Sequence, residues 1–169
     1  VFIISGYYSS VIKPIFLSYM MPPEQQTKDK ILDTLEDILL DEEGFQIVEQ
    51  YSAAQSAAEN PPFLKEVIEF KKIEDQADLK NKARHIFDTF ITPGAPKQVN
   101  IPAKMVEEIR EKLNNPTSDL FNLANREVTK LLKTNFLRAI KNLPAYAELV
   151  QKREQEREEQ EMGNRIVTV

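Results

Sequence analysis

One spacing constrains the fold of this chain more than any other: Leu79, Ala83, Ile86, Phe87 and Phe90 fall at i, i+4, i+7, i+8 and i+11. Only a helix brings such residues onto one face, so the segment is a core helix. The same period runs through Ile31, Leu32, Leu35, Ile38 and Leu39, and through Phe45, Ile47, Val48 and Tyr51 after Gly44. It returns in Phe63, Leu64, Val67, Ile68 and Phe70, and in Met105, Val106, Ile109 and Leu113, where Pro102 suits the first turn. Leu120, Phe121, Ala124, Val128, Leu131 and Leu132 make a further helix, with Thr117, Ser118 or Asp119 as its cap. Phe136, Leu137, Ile140 and Leu143 lead into a last helical region interrupted by Pro144. No alternating strand pattern and no repeat occurs, and 4 glycines without tryptophan argue against a sandwich or barrel. The reading is an all-α bundle, and 169 residues suffice for one such domain with tails.

The two ends differ from the middle. Val1 to Ile12 is free of charge, followed by Lys13, Pro14, a short apolar run, then Pro22 and Pro23. A complete membrane span needs about 20 apolar residues, so residues 1–23 are too short to be one. Two readings stay open: the inner end of a span, with Tyr7 and Tyr8 near the interface and Lys13 on the cytoplasmic side, or a short amphipathic helix. On the first, residues 1–21 attach the chain to a membrane. A secretory signal fits worse, because no basic residue precedes the apolar run. The domain itself is expected over residues 28–150. Residues 151–169 are a charged extension whose stretch Gln151 to Glu161 is either a solvated helix or a disordered tail.

Composition excludes several chemistries. With 0 cysteines there is no disulfide, thiolate nucleophile or cysteine zinc site, which fits a reducing interior. The net charge of −5 comes from acids and bases mixed along the helices, not from a basic stripe, so nucleic acid is not an expected partner. His85 is the single histidine and lies off the apolar face, so no metal is expected. Phosphate-binding glycine loops and the serine elbow are absent, and no cofactor is expected. The acidic pairs Asp41 with Glu42 and Glu107 with Glu108 read as solvation.

What stands out is the loops, where binding residues concentrate. In "AAENPPFLKEVIEF", Ala57 to Phe70, Asn60 precedes Pro61 and is expected in an extended conformation, able to cap the helix that begins at the two prolines. Either Asn60 is only a cap, or Glu59 and Asn60 are held rigidly for a partner. "TPGAPKQVN", Thr92 to Asn100, reads as an ordered loop.

These blocks resemble the regulator of G-protein signalling box. Gly44, Tyr51 and "ENPPFLKEVIEFKK" are similar to that family's glycine, aromatic helix and E-N-x-x-F-W/L-x-x-V/C-x-E/D-Y/F-K/R. "KARHIFDTFI", "APKQVNI" and "PTSDLFNLANREV" resemble its next three blocks, in order, from about Leu32 to Leu149. The resemblance implies a bundle of about nine helices in two packed subdomains. It also implies a monomeric accelerator of GTP hydrolysis by the α subunit of a heterotrimeric G protein, without chemistry of its own. Such a subunit carries its own catalytic arginine and glutamine, so its partner clamps the switch segments in their transition-state form. The place implied is the cytoplasm or the cytoplasmic face of the plasma membrane, and some members follow a seven-helix receptor directly.

Position by position, Glu59 and Asn60 match the pair that touches the switches, and Asn100 matches the asparagine beside the G protein's glutamine. Gln55 and Ala57 lie on the first contact loop; Leu131, Asn135, Phe136, Arg138 and Ala139 fall on the third contact region. Several positions depart from the pattern. Asn135 stands where many members carry aspartate, Phe136 where they carry serine, and Ala139 where they carry arginine, so a charge-assisted network is reduced. Ala57 lacks a hydroxyl, and Arg138 replaces the arginine only from about 100° around the helix. The rival reading is a non-catalytic interaction module on the same bundle, which Phe136 and Ala139 favour.

Overall fold

In a computed structural model, residues 31–167 are described, with side chains up to Asn164. The expectations for residues 1–23 lie outside them. Every regular element among the described residues is helical. In chain order these are α1 (Leu35–Leu40), α2 (Glu42–Ala54), α3 (Asn60–Phe70), α4 (Gln76–Ile86), α5 (Ala103–Lys112), α6 (Asn122–Leu132), α7 (Arg138–Lys141) and α8 (Pro144–Val167). α4 runs on into a π-helical turn, Phe87–Ile91, and a second π turn, Lys133–Leu137, joins α6 to α7 in one rod. Counted as rods, the described residues hold seven where about nine helices are expected.

Local chemistry sets the boundaries. Thr34 and Asp37 form a reciprocal capping box, each side chain accepting from the other's backbone N–H, so α1 starts at Leu35. Leu32, expected in that helix, instead lies before it with φ 55°, and its carbonyl accepts a 2.8 Å bond from the Tyr146 hydroxyl of α8. A single residue separates α1 from α2: Asp41 ends one and caps the other, accepting from the Gly44 N–H at 2.8 Å. The expected cap at Thr117, Ser118 or Asp119 does not form. Thr117 and Asp119 bond to each other, and α6 begins later, at Asn122, without a side-chain cap. Pro144 cannot continue α7 and opens α8.

The helices gather in two groups that share α3. It packs on α1 and α2 on one side and on α4 and α6 on the other, while α8 lies against α2 and α7. One hydrophobic cluster runs through both groups, with Phe63, Phe70, Phe121, Ile86 and Ile140 fully enclosed. From Ile31 onward the chain makes a single compact unit. No helix among the described residues is long and apolar enough to cross a membrane.

Residues 151–161 are helical, which settles the choice between helix and tail. An ionic hub holds the start of this stretch: Arg153 reaches back to Asp41 at 2.7 Å and to Glu43 at 2.9 Å, and Lys152 also pairs with Glu43. Burial raises the Asp41 pKa, but bonds from the Arg153 guanidinium and the Gly44 N–H outweigh it and hold the value below the ordinary 3.8. A carboxyl depressed in the folded state stabilises at neutral pH, and that contribution is lost as pH falls through its folded value. Asp41→Asn keeps a capping side chain and removes the charge. It should lower stability by about 1 kcal/mol at pH 7. Melting curves of variant and wild type should converge in acid; a constant gap would show that the Arg153 pair contributes nothing.

Candidate functional site

The first candidate segment connects α2 to α3. After Ala54 the helix closes with the Ser56 N–H on the Ala53 carbonyl at 3.1 Å and the Ala57 N–H on the Ser52 carbonyl at 2.9 Å. That pairing is a Schellman closure, which needs a left-handed residue, and Ser56 supplies it at φ 56°. Ala57, at 7% exposure, fills the inward position that follows, while Gln55 stays exposed. Glycine normally occupies the left-handed site, so Ser56→Gly should stabilise the domain by about 0.5 to 1 kcal/mol. A melting point unchanged or lowered would show that the serine has a compensating bond.

The turn then corrects one expectation. Asn60 is not an extended cap: it is the first residue of α3, 4% exposed, with its N–H on the Ala57 carbonyl at 3.3 Å. Glu59 takes the capping position with helical backbone angles, φ −74° and ψ −25°, and makes no side-chain cap bond. The reason lies in the prolines. A capping side chain accepts from the second or third N–H of its helix, and here those positions are Pro61 and Pro62, which have none. The double proline thus frees the Glu59 carboxylate from the usual work of a helix start. Burial of Asn60 and Pro61 overrides the preference of a pre-proline residue for extended backbone.

The second segment is the loop after α4. The π turn closes with the Thr92 N–H on the Phe87 carbonyl at 2.9 Å, which leaves the carbonyls of Thr89 and Phe90 to take bonds from the loop. Lys97 N–H binds the former at 3.0 Å and Val99 N–H the latter at 2.9 Å. Val99 is buried at 1% exposure, and Asn100 emerges beside it, exposed.

The third segment is the π turn Lys133–Leu137 and its flanks. Leu131 is half-buried, Asn135 and Arg138 are exposed, and Ala139 is half-buried. Phe136 is also half-buried, and its ring meets the edge of Tyr51 at 5.7 Å and 67°. The π turn places one extra residue in the rod, so Arg138 and Ala139 are rotated by about 100° from the phase that Leu131 would set in an unbroken α-helix.

Two aromatic pairs anchor these segments. Tyr51 in the last turn of α2 holds Phe136, which ties the third segment to the helix leading into the first loop. Phe63, one turn below Asn60, packs on Phe90 at 5.8 Å, and the Phe90 carbonyl holds Val99 beside Asn100. Glu59–Asn60 and Asn100 are therefore fastened to the same ring pair. Both π turns were missed from the sequence, because a helical apolar period does not register one added residue. Among the described residues no cluster of acids and histidine could hold a metal ion.

Comparison with known proteins gives one family model, described as the Regulator of G protein signaling domain, matching residues 34–149. The chain is 33% identical over 115 residues to mouse Regulator of G-protein signaling 16, covering 67% of this chain and 57% of that protein. The rat protein of the same name is 30% identical over 118 residues, 69% of this chain and 59% of that protein. Regulator of G-protein signaling 1 of Xenopus tropicalis is 29% identical over 110 residues, 63% of this chain and 55% of that protein. The match thus spans somewhat over half the length of these relatives.

Proposed function

The chain belongs to the regulator of G-protein signaling family, and from that premise we propose that it accelerates GTP hydrolysis by the α subunit of a heterotrimeric G protein. The observation that carries this reading is Glu59, whose carboxylate Pro61 and Pro62 leave free of capping, beside the buried Asn60, both fastened through Phe63 and Phe90 to the loop that presents Asn100. No residue here need act on the nucleotide. The α subunit holds its own arginine and glutamine, so what a partner can add is a rigid surface that fits the switch segments best when they are in the transition-state form. A surface fixed before contact loses little ordering entropy on binding, which favours this mode of action. The domain acts as a monomer from the cytoplasm or the cytoplasmic face of a membrane.

A specific observation favours a second reading. Phe136 is engaged with Tyr51 and Ala139 has no polar group, so of the five contact positions in the third segment only Asn135 and Arg138 offer polar groups. A non-catalytic module would bind an α subunit by the same face without preferring one state. Single-turnover GTP hydrolysis with and without the chain separates the two, together with binding to the GTP form and to the GDP form carrying aluminium fluoride. The proposal expects acceleration and a preference for the fluoride form; no acceleration with equal binding would establish the module instead.

A further inference from the structure

The loop from Thr92 to Asn100 contains a bond that the backbone bonds to the π turn do not require. Gly94 sits at φ 80°, and its N–H donates 2.8 Å to the side-chain oxygen of Gln98. Glycine adopts this left-handed backbone without a Cβ penalty, and a Cβ there would meet nothing within 4 Å. Space therefore does not demand the turn; backbone bonds hold its inner side, and the Gln98 bond closes its outer side. Inside this closed turn lie Ala95, Pro96 and Lys97; the Ala95 N–H returns to the Thr92 carbonyl at 3.0 Å and the Lys97 N–H to the Thr89 carbonyl at 3.0 Å. On the far side of Gln98 the chain passes to Val99, buried and bonded to Phe90, and then to Asn100. Gln98 is thus the one loop residue whose side chain joins the outer turn to the stretch that delivers Asn100.

We propose that Gln98 is a positioning residue for Asn100, closing the loop through the Gly94 N–H so that the Asn100 amide is already in place when the α subunit arrives. The inference rests on the function proposed above. Gln98 is exposed, and its contribution is to remove loop conformations that would otherwise have to be frozen at each encounter. Losing it should weaken binding more than it slows the bound complex.

Two substitutions separate this role from a structural one. Gln98→Ala removes the acceptor, whereas Gln98→Glu keeps an acceptor oxygen at the same reach. With the whole chain titrated against GTP-loaded α subunit in single turnover, Gln98→Ala should raise the half-saturating concentration about twofold, with about fivefold the ceiling that one ordinary hydrogen bond sets. The saturating rate should stay within about twofold of wild type, since Asn100 itself is untouched. Gln98→Glu should restore the wild-type titration. In the free chain, exchange of the Gly94 amide hydrogen should quicken in Gln98→Ala and not in Gln98→Glu, with melting points shifted by no more than an exposed substitution does. A Gln98→Ala titration that superposes on wild type, or a Gln98→Glu variant as weak as Gln98→Ala, would overturn the proposal. Unaltered Gly94 exchange in Gln98→Ala would overturn it as well, since the bond from the Gly94 N–H is the clamp. A wild-type chain without acceleration would overturn the preceding function and, with it, the role of Asn100.

Discussion

Asn100→Ala should reduce the acceleration of GTP hydrolysis by about 100-fold, the loss typical of one pre-aligned group that meets a transition state. The side chain of Asn100 is exposed, and the bonds that shape its loop use the backbone of Thr89, Phe90, Lys97 and Val99 together with Gln98. Removing it therefore leaves the loop standing, and melting should shift by no more than an exposed substitution does, about 0.5 kcal/mol. An asparagine amide both donates and accepts, so it can align a neighbouring glutamine whose own amide must orient water. Alanine keeps the backbone and loses both functions. The check is the single-turnover rate at saturating variant, beside a thermal melt. A rate at saturation equal to wild type would show that Asn100 lies outside the contact surface.

How far the sequence revealed this depended on the range of each interaction. The helical periods of α3 and α4 were legible because burial on one face repeats within a few residues: Phe63, Leu64, Val67 and Phe70, then Leu79, Ala83 and Ile86, are all buried. The π turn that follows was not, although buried Ile91 directly after buried Phe90 is the trace of it. At the start of α3 the preference of the residue before proline points to an extended Asn60, but the stronger fact is the absence of N–H groups at Pro61 and Pro62. That signal was present in the letters. The Arg153 hub was not: it joins residues 112 apart in the chain, and nothing in a run of alternating charges says which arginine meets an acid elsewhere. Likewise Ser56 carries no mark of its left-handed backbone, because the Schellman closure is defined by bonds to Ser52 and Ala53 and here lacks the usual glycine. The candidate site was located by family resemblance; its anchoring by Tyr51–Phe136 and Phe63–Phe90 came only with the packing.

Gly44 gives a prediction in which two rules disagree in sign. It lies in the first turn of α2, and by helix propensity alone alanine should stabilise an interior helical position by about 1 kcal/mol over glycine. The packing opposes this. A Cβ on Gly44 would stand 2.6 Å from the Ile38 carbonyl oxygen, 3.2 Å from Ile38 Cγ2 and 3.3 Å from Asp41 Cβ. The nearest atom is backbone, and Ile38 is wholly buried at 0% exposure, so it cannot swing aside. Nor can α2 slide away cheaply: the one-residue link at Asp41, its cap on the Gly44 N–H and its pair with Arg153 fix the helix start on two sides. Gly44→Ala is therefore expected to destabilise the domain by about 2 to 3 kcal/mol, the cost of overpacking a closed contact. In a domain of this size that is a fall of roughly 8 °C in melting temperature. Because Asp41 and Ile38 sit at one end of α2 and the loop from Gln55 to Glu59 at the other, a tilt that relieved the clash would also displace that loop. The accelerated rate should then fall at temperatures where the variant is still folded. A Gly44→Ala protein more stable than wild type would mean that propensity wins, and that α1 and α2 are not in the close contact described.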